Sequence, residues 1–457
     1  MKVTQVALLP TDQSNAAGRP ALTPELLAAS GARYSRNNDG LDAILAKIDP
    51  SNLDKSVDSI FKMIDYGHQS IADMAPVAMF MDGVSMWLAY HIWSVCPVAG
   101  GQESSTRYLQ LSASNLPDAS EIGITSSAER DQWERLMQGA LAAYEKALLF
   151  WEKEGQANPA ATKIPRDLLE DSGEKAQKVV ARMRRNYAFD RARYFLPTAL
   201  RTNVMMCQSA RAWVTLCQNL LSHPLPEAQN LGALIRDELA LATPRLLKHA
   251  IAKDSFRNGH ISVLKRWQIE AKTATKPLAE AAPNAHVEVF APEGADFARD
   301  LAYHDNRYAF FGPDLGRSAV RFAWDAVAFA DIRDLNRHRT GNKWCPLVPQ
   351  GFYSAIDQTQ NPTALKFLQE IGREASQSAL SMLQNGDWTF VYHTLLGTQF
   401  PFEHLTTANH FLYEAELRTG TGAHYRYARH LHDALEKWYE IAPDTRDLVL
   451  EGEAEPE

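Results

Sequence analysis

RHRTGNKWCPLVPQGFY, residues 337–353, follows an apolar run and sets three cationic or switchable side chains beside a Gly/Pro loop. Such groups at the end of an apolar segment are costly unless they meet water or an anion. Two arginines flanking a histidine can hold a diphosphate through paired N–H donors, while the imidazole stacks or hydrogen-bonds. A solvated helix end, where cations suit the dipole, is the other reading of the triplet. The stretch has a counterpart upstream in GGQESSTRYLQ (100–110), with TRY at 106–108 opposite GFY at 351–353. SARAW at 209–213 likewise falls opposite TANHF at 407–411. These landmarks decide the fold, because they make the chain an internal repeat with a period far above solenoid length: a duplicated domain.

The order of expected elements supports the duplication. In the first half, 2–9 reads as a strand, and 23–30, 54–66 and 78–93 read as helices. A Gly/Ser-rich loop follows, then helices at 127–157, 173–189, 204–221 and 226–251. KTATKPLAEAAPN (272–284), with two prolines among small residues, is the best linker. Behind it the pattern restarts: a strand at 286–291, then helices at 316–336, 363–384, 404–418 and 423–440. The expected domains are a first copy at 1–255 with a helical insertion at about 118–180, a helix end and linker at 256–285, a second copy at 286–445, and an acidic tail at 446–457 whose end, EGEAEPE, is disordered.

Composition narrows the function classes. An apolar fraction of 45% and a charged fraction of 22% are those of a globular protein. A formal charge of −8 argues against coating nucleic acid or an anionic membrane, though local basic patches can still hold a phosphate. The apolar stretch Met74 to Gly101 is interrupted by Asp82 and His91 and bracketed by Pro76 and Pro97. It reads as a helix in a core or subunit interface rather than a membrane span. Four scattered cysteines without C-x-x-C spacing suit neither a disulfide framework nor a zinc site. With an opening, MKVTQVALLP, that lacks a basic n-region, they predict a cytoplasmic protein.

Several arginines stand out. In GGQESSTRYLQ, Arg107 is a charged clamp beside a loop whose N–H groups can approach an anion, and Glu103 can accept from a ring N–H or a sugar hydroxyl. An ordinary polar loop with an Arg–Glu pair is the bland reading. In ARMRRNYAFDRARYFLP (181–197), most arginines read as a solvated helix face, with Arg193 the one to point inward. Arg211 and Arg418 sit on apolar helix faces, where anion binding and a structural salt bridge are both open. His424, His430 and His432 lack a consistent i, i+4 metal pair, so no metal is expected. There is no Walker loop and no G-x-G-x-x-G after a strand, so any dinucleotide cofactor needs a non-Rossmann fold.

These residues resemble the flavin-dependent thymidylate synthases, whose signature is Arg-His-Arg, seven residues, then Ser, closing on Arg-Tyr, with a Gly-His-x-Ser upstream. Here the signature is divided. The first copy has GHQS (67–70) with Asp73 behind it, and keeps Glu103, Ser105, Arg107 and Tyr108, but carries Val95, Cys96 and Pro97 where Arg-His-Arg would stand. It also has Arg193 in ARYFLP and Arg211 in SAR. The second copy keeps Arg337, His338 and Arg339, and its ELRTG puts Arg418 on the pyrimidine-contacting arginine, but it lacks Gly-His-x-Ser.

The resemblance implies an α+β chain: two fused copies of the flavin-dependent thymidylate synthase fold, helices packed on a small, mainly antiparallel sheet. It implies one composite site in which His68, Ser70, Asp73, Arg337, His338, Arg339 and Arg211 hold FAD. Ser105, Arg107 and Arg193 take the nucleotide, and Arg418 with Glu103 serves the pyrimidine. The implied reaction is reductive C5 methylation of dUMP to dTMP, with NADPH and methylenetetrahydrofolate as co-substrates. The family's tetramer implies a dimer of this two-copy chain. One departure stands out: Asp334 occupies a position where the family places a glutamine near the phosphate. A different pyrimidine nucleoside or nucleotide is therefore the alternative substrate, and a non-catalytic nucleotide- or flavin-binding oligomer the alternative class.

Overall fold

The computed structural model describes residues 1–36, 40–49, 52–65, 69–96, 98–274 and 280–454. Gly67 and His68, Pro97, linker residues 275–279 and tail residues 455–457 lie outside the described residues. The chain divides into two compact units. One comprises Met1–Ser104, Glu121–Gly123 and Arg201–Val263, the other Ser105–Ser120, Ile124–Leu200 and Leu264–Glu457.

The first unit holds strands β1 (Lys2–Val6), β2 (Pro76–Ser85), β3 (Gly100–Glu103) and β4 (Arg201–Ser209), all antiparallel in the order β1-β2-β4-β3. The second holds β5 (Ala285–Phe290), β6 (Ala319–Ala328), β7 (Asn342–Trp344), β8 (Gly351–Phe352) and β9 (Thr398–Thr407). Its order is β5-β6-β9-β7, again antiparallel, with β8 pairing the far end of β9. The same strand order therefore occurs twice. Even the irregularities match in place, a register shift interrupting β2 between Asp82 and Val84 and β6 between Trp324 and Val327. Helices complete each unit, so the class is α+β.

Four expected helices are instead a strand running straight into a helix. The run 78–93 is β2 followed by the helix Met86–Val95, and 316–336 is β6 followed by Phe329–Leu335. The runs 204–221 and 404–418 divide in the same way, at Ser209 and Thr407. The physical reason is burial: β6 is covered along nearly its whole length, and an apolar run buried on both faces shows no period of two. The junctions do carry a local signal. Ser85 caps its helix by accepting from the Leu88 N–H at 3.0 Å, and Ser209 by accepting from Ala212 at 3.2 Å. In β4 the alternate burial of Thr202, Val204, Met206 and Gln208 is a period of two that reveals the strand.

The long helices Ser127–Ala157 and Glu174–Ala192, which interrupt the first sequence copy, belong to the second compact unit. Trp133 and Trp151 of the longer helix are fully buried, and the Trp133 indole N–H donates to the Tyr392 carbonyl at 3.0 Å. The helix Asp254–Thr273 fills most of the stretch expected as helix end and linker.

Candidate functional site

Within the second unit, arginines from both halves of the sequence come together. Ser105 opens the turn after β3, and its hydroxyl accepts from the Arg107 N–H at 3.2 Å. This aims the Arg107 side chain at Asp190, on the helix Glu174–Ala192. Nε and Nη2 donate to the two carboxylate oxygens at 2.7 and 3.0 Å, and Nη1 donates to the Gly422 carbonyl at 3.0 Å. Where that helix ends, Arg193 turns inward and is only 2% exposed. Its Nη1 donates to Asp334 and its Nη2 to Asp331, each at 2.9 Å. The two aspartates stand three residues apart on Phe329–Leu335, so they share one face.

Electrostatics separates the two carboxyls. Burial pushes Asp331 up to about 6 against the opposing pull of Arg193 and Arg426. Burial also works against ionising Asp334, but Arg193, Arg337, Arg107 and Arg418 outweigh it and hold its carboxyl well below the usual range. His424 lies beside Asp331 and Asp190, 3.7 and 4.0 Å away. Its Nδ1 accepts from the Arg426 N–H at 3.2 Å, so Nε2 carries the proton and donates to the Asp190 carbonyl at 3.0 Å. Burial, then Arg193 and Arg107, keep this imidazole neutral.

A second buried cluster surrounds His338. Arg418 Nε donates to His338 Nε2 at 2.7 Å, which leaves the ring proton on Nδ1, 3.8 Å from Glu414. Glu414 is fully buried and also lies 3.1 Å from His404 Nδ1. Burial opposes its ionisation, yet His338, His404 and Lys343 hold it down to about 2. Burial lowers His338 to about 3 and Lys343 to about 8. The Lys343 ammonium donates to the His338 carbonyl and, at 3.2 Å, to that of Thr340. The chain turns from the arginine–histidine triplet into β7 at Gly341, with φ +61, where a Cβ would lie 2.1 Å from the Leu405 carbonyl oxygen.

The expected site residues thus fall into two groups. Ser105, Arg107, Arg193, Arg337, His338, Arg339 and Arg418 lie in the second unit, and Ser70, Asp73, Glu103 and Arg211 in the first. His68 is outside the described residues. In the first unit Arg211 pairs with Asp73 at 2.9 Å and lines a cavity of about 190 Å³ with Gln69, Gln218 and His249. Glu103 closes β3 opposite Val204. Arg337, 41% exposed, sits 3.8 Å from Asp334, while Arg339 donates to the Asn336 carbonyl. As a donor for a flavin diphosphate within the second unit, the half-exposed guanidinium of Arg337 fits. His338 does not, since its ring is closed between Arg418 and Glu414.

Sequence reasoning passed over the carboxylates Asp190, Asp331 and Glu414 and the buried His404, and gave His424 no part in the site. The available signal was local: Asp331 and Asp334 share one face in ADIRDLNRHR, and Asp190 falls in FDRAR next to the inward arginine.

Comparison with known proteins bears on this arrangement. Residues 21–245 match the family described as thymidylate synthase complementing protein. Over those residues, just under half of the chain, the sequence is similar to that family. A relative, the UPF0159 protein Ta1429 of Thermoplasma acidophilum, is 25% identical over 242 residues, 49% of this chain and 48% of the relative. The chain thus spans about half the length of the curated relative it matches. A solved structure, a UMP/dUMP methylase PolB from Streptomyces cacaoi bound with 5-Br dUMP, aligns with a TM-score of 0.31 and 14% identity. That alignment covers 54% of this chain and 93% of the other. No helix among the described residues is long and apolar enough to cross a membrane.

Proposed function

We propose that the chain is a flavin-dependent thymidylate synthase-like enzyme that methylates C5 of a uracil nucleotide at a composite site. The observation that supports this reading most is the convergence of Arg107, Arg193, His338 and Arg418, drawn from both sequence copies, within one compact unit. FAD, held in part through the half-exposed Arg337, supplies the hydride chemistry, with NADPH as reductant and methylenetetrahydrofolate as carbon donor. The chain's own contribution is orientation and electrostatics: Arg418, fixed by His338 and packed 5.4 Å from the Tyr427 ring centroid, presents a guanidinium of defined direction to a pyrimidine.

The purified protein is expected to show flavin absorption bands, or to take up added FAD with a Kd of about 1 µM or tighter. Arg418→Ala is expected to lower turnover of dUMP by about 100-fold or more while leaving flavin uptake intact. A protein that neither contains nor binds FAD contradicts the proposal.

A second reading is favoured by one contact. Both Nη atoms of Arg193 are already taken by Asp331 and Asp334, so internal carboxylates stand where the resemblance would put a substrate phosphate. That suits a different pyrimidine nucleoside or nucleotide, whose anionic group, if present, binds elsewhere. A panel of uracil and cytosine nucleosides and monophosphates, scored by oxidation of reduced flavin, separates the two.

We further propose a dimer of this two-copy chain in the cytoplasm. Light scattering is expected to give about twice the 51.0 kDa chain mass at micromolar concentration. A monomer counts against the assembly.

A further inference from the structure

Arg191 is more than nine-tenths buried, 8% exposed, yet among the described residues it makes no ion pair. Its guanidinium lies between two tyrosine rings, 3.6 Å from the Tyr187 centroid and 4.3 Å from that of Tyr425. Nη1 donates to the Tyr187 carbonyl at 3.1 Å, and Nε is buried without a partner. The other buried arginines among the described residues have carboxylates, Arg193 with Asp331 and Asp334 and Arg426 with Glu280 and Asp357, and the half-buried Arg107 has Asp190. A buried guanidinium held only by aromatic faces and one carbonyl keeps unspent capacity for an anion.

Arg191 also lines a cavity of about 170 Å³ in the second unit, together with Arg107, Lys163, Asn186, Tyr187 and Tyr425. The lining includes three cations, and its one carboxylate, Asp190, already has both oxygens on Arg107. The cavity therefore carries net positive charge. Lys163 reaches its rim from a left-handed residue, φ +52, with its ammonium 2.5 Å from the Glu453 carbonyl oxygen.

We propose that this cavity is an oxyanion subsite that takes a phosphate group, with Arg191 as its principal cation. A guanidinium can meet a phosphate with two parallel N–H donors, and the rings on either side restrict it to one plane. The site is smaller than the roughly 300 Å³ at which pockets begin to enclose drug-sized ligands. It therefore holds the phosphate and leaves any ester substituent toward the opening. The phosphate comes from free orthophosphate or from a nucleoside monophosphate, and the chemistry at Arg191 is the same for both. Nothing in this site requires the flavin reading.

Calorimetric titration of the full chain, without flavin, with orthophosphate, uridine 5′-monophosphate and uridine is the test. Orthophosphate and the monophosphate are expected to bind and uridine not to. Tighter binding of the monophosphate by about tenfold or more identifies an ester as the ligand, and equal affinities identify free phosphate; both support the subsite. Arg191→Met is expected to weaken phosphate binding by at least about 30-fold. Asn186→Asp, at a half-buried position of the lining, brings in a negative charge with Arg191 intact and is expected to weaken it as well. Asn186→Asp decides the matter should Arg191→Met not fold. Absence of binding at about 1 mM, or binding unchanged in the folded variants, overturns the proposal. Phosphate binding by a protein that takes no FAD would refute the proposed function and leave this subsite standing.

Discussion

Acidification from pH 7 to pH 5 is expected to unfold the protein. Five buried histidines and the half-buried His91 are held neutral chiefly by desolvation: His91 and His393 at about 4, His338 at about 3, and His223, His424 and His430 well below their ordinary value. In the unfolded chain each takes a proton near pH 6.5. Their folded values are depressed, so the stability they contribute is present above pH 6.5 and is lost as the pH falls, because the unfolded state binds protons that the folded state refuses. Each contributes a slope of about 1.4 kcal/mol per pH unit. Two carboxyls oppose them. Asp331 at about 6 and Glu280 at about 7 are raised by burial, so their contribution is present at low pH and is lost as the pH rises through those values. Six groups against two leave a net slope on the order of 5 kcal/mol per pH unit between about pH 6 and pH 4.5. A drop of that size over little more than one unit consumes most of a typical domain's 5–15 kcal/mol. Guanidinium midpoints measured at half-unit steps provide the check, and equal midpoints at pH 7 and pH 5 would contradict the argument. His91 and His223 lie in the first unit, and the other four histidines lie in the second together with both opposing carboxyls, so each unit carries a net of two groups and probes in the two units should report similar losses.

Replacing Arg193 with methionine is expected to cost about 3–5 kcal/mol of stability at pH 7. The side chain is buried, and its two Nη atoms are the donors that neutralise Asp331 and Asp334. Without it Asp334 loses its largest stabilising charge and becomes a buried carboxyl that ionises at a penalty. The double variant Arg193→Met with Asp334→Leu is expected to recover part of the loss, since removing both partners leaves less uncompensated charge than removing one. Urea unfolding of the four members of the cycle measures the coupling. A coupling energy below about 0.5 kcal/mol would mean that the pair contributes little to the fold. Asp331 keeps the Tyr194 hydroxyl, at 3.3 Å, as a remaining donor, so the loss at Asp331 is the smaller of the two.

The repeat was legible because turn residues and cation clusters recur in a fixed order: GGQESSTRY and RHRTGNKWCPLVPQGFY each lie between an apolar run and a later strand. The two sheets share one strand order, β1-β2-β4-β3 and β5-β6-β9-β7. Division of four apolar runs into strand and helix was not legible from periodicity, because a doubly buried strand and a buried helix are both continuously apolar. Ser85 and Ser209 show that capping chemistry at the junction would have supplied what periodicity lacked.

The arginines divide in the same way. The sequence by itself determined that Arg107, Arg193, Arg337 and Arg418 sit where cations need partners, and that Arg193, directly before YFLP, points inward. Only the tertiary structure decided who those partners are. Asp331 and Asp334 lie 138 and 141 residues from Arg193, Asp190 lies 83 from Arg107, and His338 lies 80 from Arg418. It also decided that Arg191, in a row of arginines whose pattern predicts a solvated face, is buried against two tyrosines with no carboxylate partner among the described residues. The reason is range. Helix ends, caps and apolar runs express interactions among residues a few positions apart, whereas a buried charge takes the counter-charge that packing of remote elements delivers, and no local pattern records which one that is.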